Sequence, residues 1–233
     1  PGAKFFPEAR LNYAENLLRS PDDSLAIEEF REDGFSNELT RKELKNKTLK
    51  MAGWLKSKGI KKGDRVCAYM PNCSETIITM LATSALGAIF SSCSSDFGVE
   101  GVIDRFEQIE PKILVATNGY LYNGKLIERA EEIKTISKRL TSLEHVLVVE
   151  YITSKKDTDN FPNFNTVFQS DPLEKYALCN FNDPLYIVFS SGTTGKPKCI
   201  VHSIGGVLIQ HAKEHLLHTN LSEKQKMFYF TTC

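Results

Sequence analysis

The sequence has little that would mark a nucleic-acid-binding, membrane or secreted protein. Its 233 residues carry 29 Lys and Arg against 29 Asp and Glu, so the formal net charge is zero and no basic surface for nucleic acid or an anionic membrane is indicated. No apolar run reaches the roughly 18 residues of a membrane span. The N-terminus lacks the basic and apolar stretches of a signal peptide, and no repeat is present. The remaining composition, 41% hydrophobic and 25% charged, is that of an ordinary globular protein.

Disulfide and zinc-finger patterns are also missing. The six cysteines form no CxxC pair and no paired zinc spacing. Several lie in apolar, strand-like runs, where a free cysteine behaves as a small hydrophobic residue. We therefore expect reduced thiols, a cytosolic protein and no catalytic role for the cysteines.

Strand-like and helix-like segments alternate through the first 150 residues. Predicted strands at 65–70, 88–92, 112–116 and 145–150 are separated by predicted helices at about 74–86, 99–109 and 125–140. This alternation with short links is typical of βαβ units. We predict an α/β fold with a doubly wound parallel sheet and helices on both faces. Residues 227–233 are predicted to form a further strand, cut off at the chain end.

The stretch 186–198 carries the most chemical information. An apolar, β-branched run predicts a buried strand, hydroxyls and glycines follow, and a helical pattern begins near Ser203. Strand, glycine-rich turn and helix together would present backbone N–H groups and the positive end of a helix to an anion. The hydroxyls can donate to phosphate oxygens, the glycines permit close approach, and the lysines supply charge. The candidate phosphate-binding residues are Ser190, Ser191, Gly192, Thr193, Thr194, Gly195, Lys196 and Lys198.

The string and the helix after it admit two alternative interpretations, and a Walker A loop is excluded. The string is not a Walker A loop, because Pro197 follows Lys196 where that motif needs Ser or Thr. A Ser/Thr/Gly surface turn is the simplest alternative, but a turn rarely needs the whole string. His211, Glu214 and His215 match the H-x-x-E-H pattern of a zinc hydrolase, but no third ligand is identifiable and a stripe of half-buried helix side chains is the favoured interpretation.

Residues 190–198 match every position of the pattern [ST]-S-G-[ST]-T-G-x-P-K. The chain thereby resembles the adenylate-forming superfamily of acyl-CoA synthetases, luciferases and peptide-synthetase adenylation domains. Residues 5–18 resemble the N-terminal segment of the acetyl-CoA synthetase subgroup. Within that subgroup, residues 87–98, 197–203 and 214–218 are most similar to the branch that activates acetoacetate. The resemblance covers nearly the whole chain.

The resemblance implies an ATP-dependent ligase with small-molecule substrates. Such an enzyme converts acetoacetate and MgATP to acetoacetyl-adenylate and pyrophosphate, and then transfers the acyl group to coenzyme A with release of AMP. The resemblance implies that Lys198 holds the pyrophosphate end of ATP and that Ser191, Thr193 and Thr194 contact the triphosphate. It also implies a contact of Lys125 with coenzyme A, for which a surface lysine at a helix start, without a function, is the alternative. No nucleic-acid or membrane partner and no protein-bound metal are expected.

The resemblance also implies an incomplete large domain. Residues 1–23 are expected to form a docking segment, and residues 24–233 a truncated AMP-binding domain. The small C-terminal domain, the main catalytic lysine and the ligands of adenine, ribose and Mg²⁺ are expected beyond Cys233, so the chain alone should be inactive. An acetyl- or propionyl-CoA synthetase and a catalytically silent nucleotide-binding module are the alternatives.

Overall fold

The computed structural model describes residues 5–153, 158, 160–190, 195–222, 225–229 and 231. In chain order the strands are β1 (Arg10–Leu11), β2 (Leu25–Phe30), β3 (Ser36–Thr40), β4 (Arg65–Met70), β5 (Ile89–Ser94), β6 (Ile113–Thr117), β7 (Gly119–Tyr122), β8 (Lys125–Glu128), β9 (His145–Val149), β10 (Cys179–Asn180), β11 (Pro184–Ser190) and β12 (Lys198–Ser203). The α-helices are α1 (Tyr13–Leu17), α2 (Arg41–Ser57), α3 (Ser74–Ala85), α4 (Val99–Phe106), α5 (Ala130–Arg139) and α6 (Ile204–Ala212). A 3₁₀ helix spans Phe164–Gln169, and a π-helix, Lys213–His218, continues α6.

A six-stranded sheet in the order β12-β11-β5-β4-β6-β9 forms the centre of the molecule. Strands β11, β5, β4, β6 and β9 run parallel. The edge strand β12 runs antiparallel to β11. From β4 the chain adds β5 on one side, then β6 and β9 on the other, which is the reversal of a doubly wound sheet. The predicted α/β fold is confirmed, with an antiparallel edge strand as the difference.

Helices cover both faces of this sheet, as predicted. Side chains of a strand point alternately to its two faces. In β4, Val66 and Ala68 belong to the core beneath α1, α2, α3 and α6, whereas Cys67 and Tyr69 belong to the core beneath α4 and α5. Each face therefore has its own apolar core. Within the described residues no helix has the length and apolarity to cross a bilayer.

The local sequence determines where helix α2 begins and ends. Thr40 accepts a hydrogen bond from the Glu43 N–H at 3.1 Å, and the Thr40 N–H donates to the Glu43 carboxylate at 2.8 Å. This capping box satisfies backbone donors that the first helical turn leaves free. Gly59, with φ of +80°, follows the last turn in a conformation that ordinary L residues adopt rarely.

One buried asparagine attaches helix α1 to the main body. The Asn12 Oδ1 atom accepts from the Glu15 N–H at 3.2 Å and so caps α1. Its Nδ2 atom lies 2.9, 3.2 and 3.0 Å from the carbonyl oxygens of Ser84, Ala85 and Ala177. The first two oxygens belong to the end of α3, where helix carbonyls lack intrahelical partners. One side chain thus joins α1, α3 and the segment before β10.

One predicted element is wrong in the structure, and another is not found among the residues that the structure describes. The helix predicted near Lys125 begins at Ala130, because residues 119–128 form the β7–β8 hairpin. Asn123 and Gly124 form its turn with φ of +49° and +71°, the left-handed pair that tight hairpins require. The described part of the C-terminal segment, 225–229 and 231, contains no strand.

Candidate active site

The candidate phosphate-binding string lies in a hairpin between β11 and β12. Ser190, the last residue of β11, is paired with Lys198, the first residue of β12. Ser190 is half-buried, whereas Gly195, Lys196 and Lys198 are exposed. The remaining candidates, Ser191, Gly192, Thr193 and Thr194, lie outside the described residues.

The element after the string differs from the prediction. Helix α6 does begin where expected, with the Ser203 side chain accepting from the Gly206 N–H at 3.3 Å. However, β12 lies between the string and this helix. Its six residues extend about 20 Å at the usual rise of a strand. Because the helix dipole acts mainly near the first turn, the N-terminus of α6 lies too far from Lys198 to stabilise an anion beside that lysine.

The second arm of the hairpin contacts the end of helix α4. The Lys196 Nζ atom lies 3.5 Å from a carboxylate oxygen of Glu107. The Gln108 side-chain amide donates to the Pro197 carbonyl at 2.9 Å, and the Cys199 thiol lies 3.7 Å from the Gln108 Oε1 atom. Sequence reasoning identified neither Glu107 nor Gln108, since nothing in the sequence pairs them with a string 89 residues away.

The hairpin shares one edge of the sheet with two other polar segments. Because β11, β5, β4 and β6 are parallel, Ser190 lies at the same edge as the residues that follow β5 and β6. Ligands of open α/β sheets bind at this carboxyl edge. After β5, the carbonyl oxygens of Ser95 and Phe97 accept from Arg129 at 2.8 Å and from the Tyr69 hydroxyl at 2.7 Å. Burial raises the pKa of Tyr69, which keeps this hydroxyl protonated.

Lys125 lies at the same edge but in a different hairpin. It is exposed and opens β8, directly after the Asn123-Gly124 turn. The Glu32 carboxylate accepts from the N–H groups of Asn123 and Gly124 at 3.1 and 2.8 Å, which fixes the hairpin tip. Strands β11 and β6 are three sheet positions apart, about 14 Å. The hairpins that continue from these two strands, one with the candidate string and one with Lys125, therefore begin at one edge of the sheet.

The zinc interpretation gains no third ligand. The Nδ1 atom of His211 lies 3.3 Å from the Tyr13 hydroxyl. Glu214 contacts the Lys213 ammonium at 2.8 Å and accepts from the Gln210 amide at 2.9 Å. The ring centroids of His211 and His215 are 6.0 Å apart. Across the described ranges, no three His, Cys, Asp or Glu side chains gather into a group that could hold a metal ion.

The buried thiols are also unsuited to nucleophilic chemistry. Five cysteines lie in the described residues, all free, and Cys199 is the exposed one among them. Burial raises the pKa of Cys67 and Cys73, and raises that of Cys93 to about 12. A protonated, buried thiol is a poor nucleophile. The expectation of unpaired thiols is confirmed for these five residues.

Comparisons with known proteins agree with this architecture. The family model described as "AMP-binding enzyme" matches residues 14–232. The acetoacetyl-coenzyme A synthetase of Rhizobium meliloti is 46% identical over 238 residues, which are 99% of this chain and 36% of the relative. The acetoacetyl-CoA synthetase of Macaca fascicularis is 42% identical, over 98% of this chain and 36% of the relative.

A solved structure shows the same fold. The acetoacetyl-CoA synthetase of Streptomyces lividans superposes with a TM-score of 0.94 at 36% identity, and the match covers 100% of this chain and 36% of that structure. The chain therefore spans little more than a third of the length of these relatives. The family match, the sequence relatives and the fold lead to one conclusion: the chain belongs to the AMP-binding enzyme family.

Proposed function

We propose that the protein is an AMP-forming acid–thiol ligase that converts acetoacetate, ATP and coenzyme A to acetoacetyl-CoA, AMP and pyrophosphate. The main support is the identity of 41–46% to acetoacetyl-CoA synthetases across nearly the whole chain. The full 190–198 string lies within that match. Acetate and propionate are the alternative acids, and the names of the relatives favour acetoacetate over both.

The chemistry proceeds in two displacements. A carboxylate oxygen of acetoacetate attacks the α-phosphorus of ATP, which forms an acyl–phosphate bond and breaks the bond to pyrophosphate. The thiolate of coenzyme A then attacks the acyl carbonyl and AMP leaves with the bonding electrons. Neither step needs a covalent bond to the protein, so the contribution of this chain is to bind phosphates and stabilise the charge that moves to pyrophosphate.

Lys198 is the proposed main charge in this chain. It is exposed at the base of the hairpin, opposite Ser190, where its ammonium can reach phosphates bound by the connection between β11 and β12. Charge-assisted hydrogen bonds to phosphate are about twice as strong as neutral ones. We assign Lys198 to the departing pyrophosphate, and Ser190, Ser191, Gly192, Thr193, Thr194, Gly195 and Lys196 to the triphosphate.

Magnesium would bind through the nucleotide phosphates. The described residues offer no group of three acidic, cysteine or histidine side chains that fits a metal ion. Bound in this way, the ion would neutralise phosphate charge. No step above depends on a metal ligand from these residues.

Coenzyme A is assigned to the β7–β8 hairpin. Lys125 is exposed there, at the carboxyl edge that also carries the β11–β12 hairpin. A lysine is a good phosphate partner because its ammonium is a compact charge with three donors. Strands β11 and β6, from which the two hairpins continue, are about 14 Å apart in the sheet, which supports separate positions for the two substrates.

The domain organisation follows from the same proposal. Residues 1–23 form the docking segment, supported by the contacts of Asn12 with Ser84 and Ala177. Residues 24–233 form part of the AMP-binding large domain, and the remaining ligands and the main catalytic lysine belong to parts of the relatives that this chain does not match. A cytosolic location fits the free thiols.

Isotope exchange between pyrophosphate and ATP in the complete gene product tests the function. Acetoacetate, acetate and propionate are supplied separately, without coenzyme A. Exchange that requires acetoacetate is the expected result. Exchange that occurs only with acetate or propionate would mean that this acid, rather than acetoacetate, is the substrate. No exchange with any acid would favour a silent nucleotide-binding module.

A further inference from the structure

The end of helix α4 makes two kinds of contact with the second arm of the β11–β12 hairpin. Glu107 forms an ion pair with Lys196 at 3.5 Å, and Gln108 donates a hydrogen bond to the main chain of Pro197 at 2.9 Å. We call Glu107 and Gln108 the α4 latch. Both contacted residues directly precede Lys198, so the latch acts on the part of the hairpin that carries the proposed phosphate charge.

The Gln108 side chain is held in place on the helix side. Its amide nitrogen also donates to the Asp104 carbonyl at 2.6 Å, so both of its hydrogens are used. Helix α4 is itself anchored by the buried side chains of Val102, Ile103 and Phe106. Gln108 therefore links the packed helix α4 to the main chain of Pro197 and holds that main chain in place relative to the helix.

The Glu107–Lys196 pair has a different character. Both side chains are about three-fifths exposed, at 61% and 62%. Exposed ion pairs are weak and are easily exchanged for a better partner. A triphosphate at the hairpin would be such a partner, because it carries several negative charges and accepts charge-assisted hydrogen bonds. Because the Glu107 carboxylate and the nucleotide phosphates are all negatively charged, they would compete for the Lys196 ammonium.

We propose that the two latch residues act on nucleotide binding in opposite directions. Gln108 is a positioning residue that favours phosphate binding by fixing the arm that carries Lys198. Glu107 is a competing anion that disfavours it by occupying Lys196 until the triphosphate arrives. This inference rests on the proposed function of the hairpin.

Two substitutions separate these roles in the complete gene product. Glu107→Gln should lower KM for ATP in pyrophosphate exchange by up to about fivefold, the range expected for an exposed ion pair, with kcat unchanged. Gln108→Met, which keeps the length of the side chain but not its amide, should raise KM for ATP severalfold and leave KM for the acid unchanged. Glu100→Gln is the matched control: it removes a carboxylate from the same helix, where it pairs with Arg139.

A binding measurement gives a readout that does not depend on catalysis. The calorimetric Kd for tripolyphosphate should be lower for Glu107→Gln and higher for Gln108→Met than for the unmodified protein. The difference for Glu107→Gln should shrink at high salt. Thermal unfolding of each variant shows whether it is folded.

An unchanged or higher KM for ATP in Glu107→Gln would overturn the competing role, as would an equal decrease in Glu100→Gln. A Gln108→Met variant that is folded and binds tripolyphosphate as the unmodified protein does would overturn the positioning role. Absence of exchange in the unmodified protein would contradict the proposed reaction instead, and the tripolyphosphate measurements would still decide the latch.

Discussion

His211 is the residue whose surroundings most clearly link stability to pH. It is half-buried, its Nδ1 atom lies 3.3 Å from the Tyr13 hydroxyl, and the ring centroid of His215 is 6.0 Å from its own. Burial lowers the pKa of His211, and His215 lowers it further. Burial also raises the pKa of Tyr13 to about 12, so Tyr13 stays neutral where histidine titrates.

The sign of the pH effect follows from these shifts. An unfolded histidine binds a proton near pH 6.5, whereas folded His211 resists protonation, so the free energy of unfolding should fall as pH drops below about 6.5. His211→Gln retains a hydrogen-bond partner for Tyr13 and should flatten this dependence in denaturant titrations between about pH 8 and about pH 5.5. His218→Gln, on the exposed end of the same helix, should keep the slope. An equally steep slope in His211→Gln would contradict the assignment.

Site residues can be predicted from the sequence when they are consecutive in the chain. Lys198 and its neighbours were predicted because nine consecutive residues form one recognisable pattern. Glu107, Gln108 and Glu32 were not, because each contacts a segment roughly 90 residues away in the chain. Their contacts depend on the order of the strands in the sheet, which a local sequence pattern does not predict.

Among the elements, helix α1 is joined to the end of α3 and to Ala177 by the side chain of Asn12. Asn12→Asp keeps the shape and the N-cap oxygen but places a carboxylate against the carbonyl oxygens of Ser84, Ala85 and Ala177. A buried charge without a partner is expected to lower the free energy of unfolding by about 3 kcal/mol or more. It should also increase hydrogen exchange in α1.

Asn16→Asp provides the control for Asn12→Asp. Asn16 is exposed on the same helix, and its substitution adds the same charge. Denaturant unfolding should show little change for Asn16→Asp. Similar losses for both variants would mean that charge on α1, rather than the Asn12 contacts, sets the stability.

The elements also show where local patterns fail. Strands β4, β5, β6 and β9 were predicted because short apolar runs between helical segments are typical of buried strands. Strand β12 was missed because its side chains, apart from the two at its C-terminal end, are exposed, and its pairing with β11 depends on the turn between them. The Asn123-Gly124 dipeptide is a hairpin signal that could have identified β7 and β8.

At the scale of the whole molecule, the two proposed substrate sites share one edge of the sheet and can be tested separately. Pyrophosphate exchange does not use coenzyme A. Lys125→Ala should therefore leave exchange unchanged and raise KM for coenzyme A about tenfold in the complete reaction, as expected for loss of one charge-assisted contact.

The control for Lys125→Ala is Lys138→Ala. Lys138 is exposed on α5, and its loss removes the same charge from the surface. It should change neither measurement. A fall in exchange for Lys125→Ala, or an unchanged KM for coenzyme A, would argue against the assignment of this hairpin.

The order of the strands is the part of the architecture that the sequence could not supply. Alternating strands and helices predicted the fold class and both covered faces. The placement of β11 beside β5, which puts the phosphate-binding string on the same edge as Lys125, comes from long-range pairing.

The proposed binding of ATP phosphates by the β11–β12 hairpin depends most on Lys198, the main charge assigned to it. The measurement is acetoacetate-dependent pyrophosphate exchange in the complete gene product, with Lys198→Ala compared to Lys175→Ala, an exposed lysine outside the candidate site. We predict a loss of about a hundredfold or more for Lys198→Ala and none for Lys175→Ala. Exchange by Lys198→Ala within about twofold of the unmodified protein, a difference far below that of one lost phosphate contact, would contradict the account.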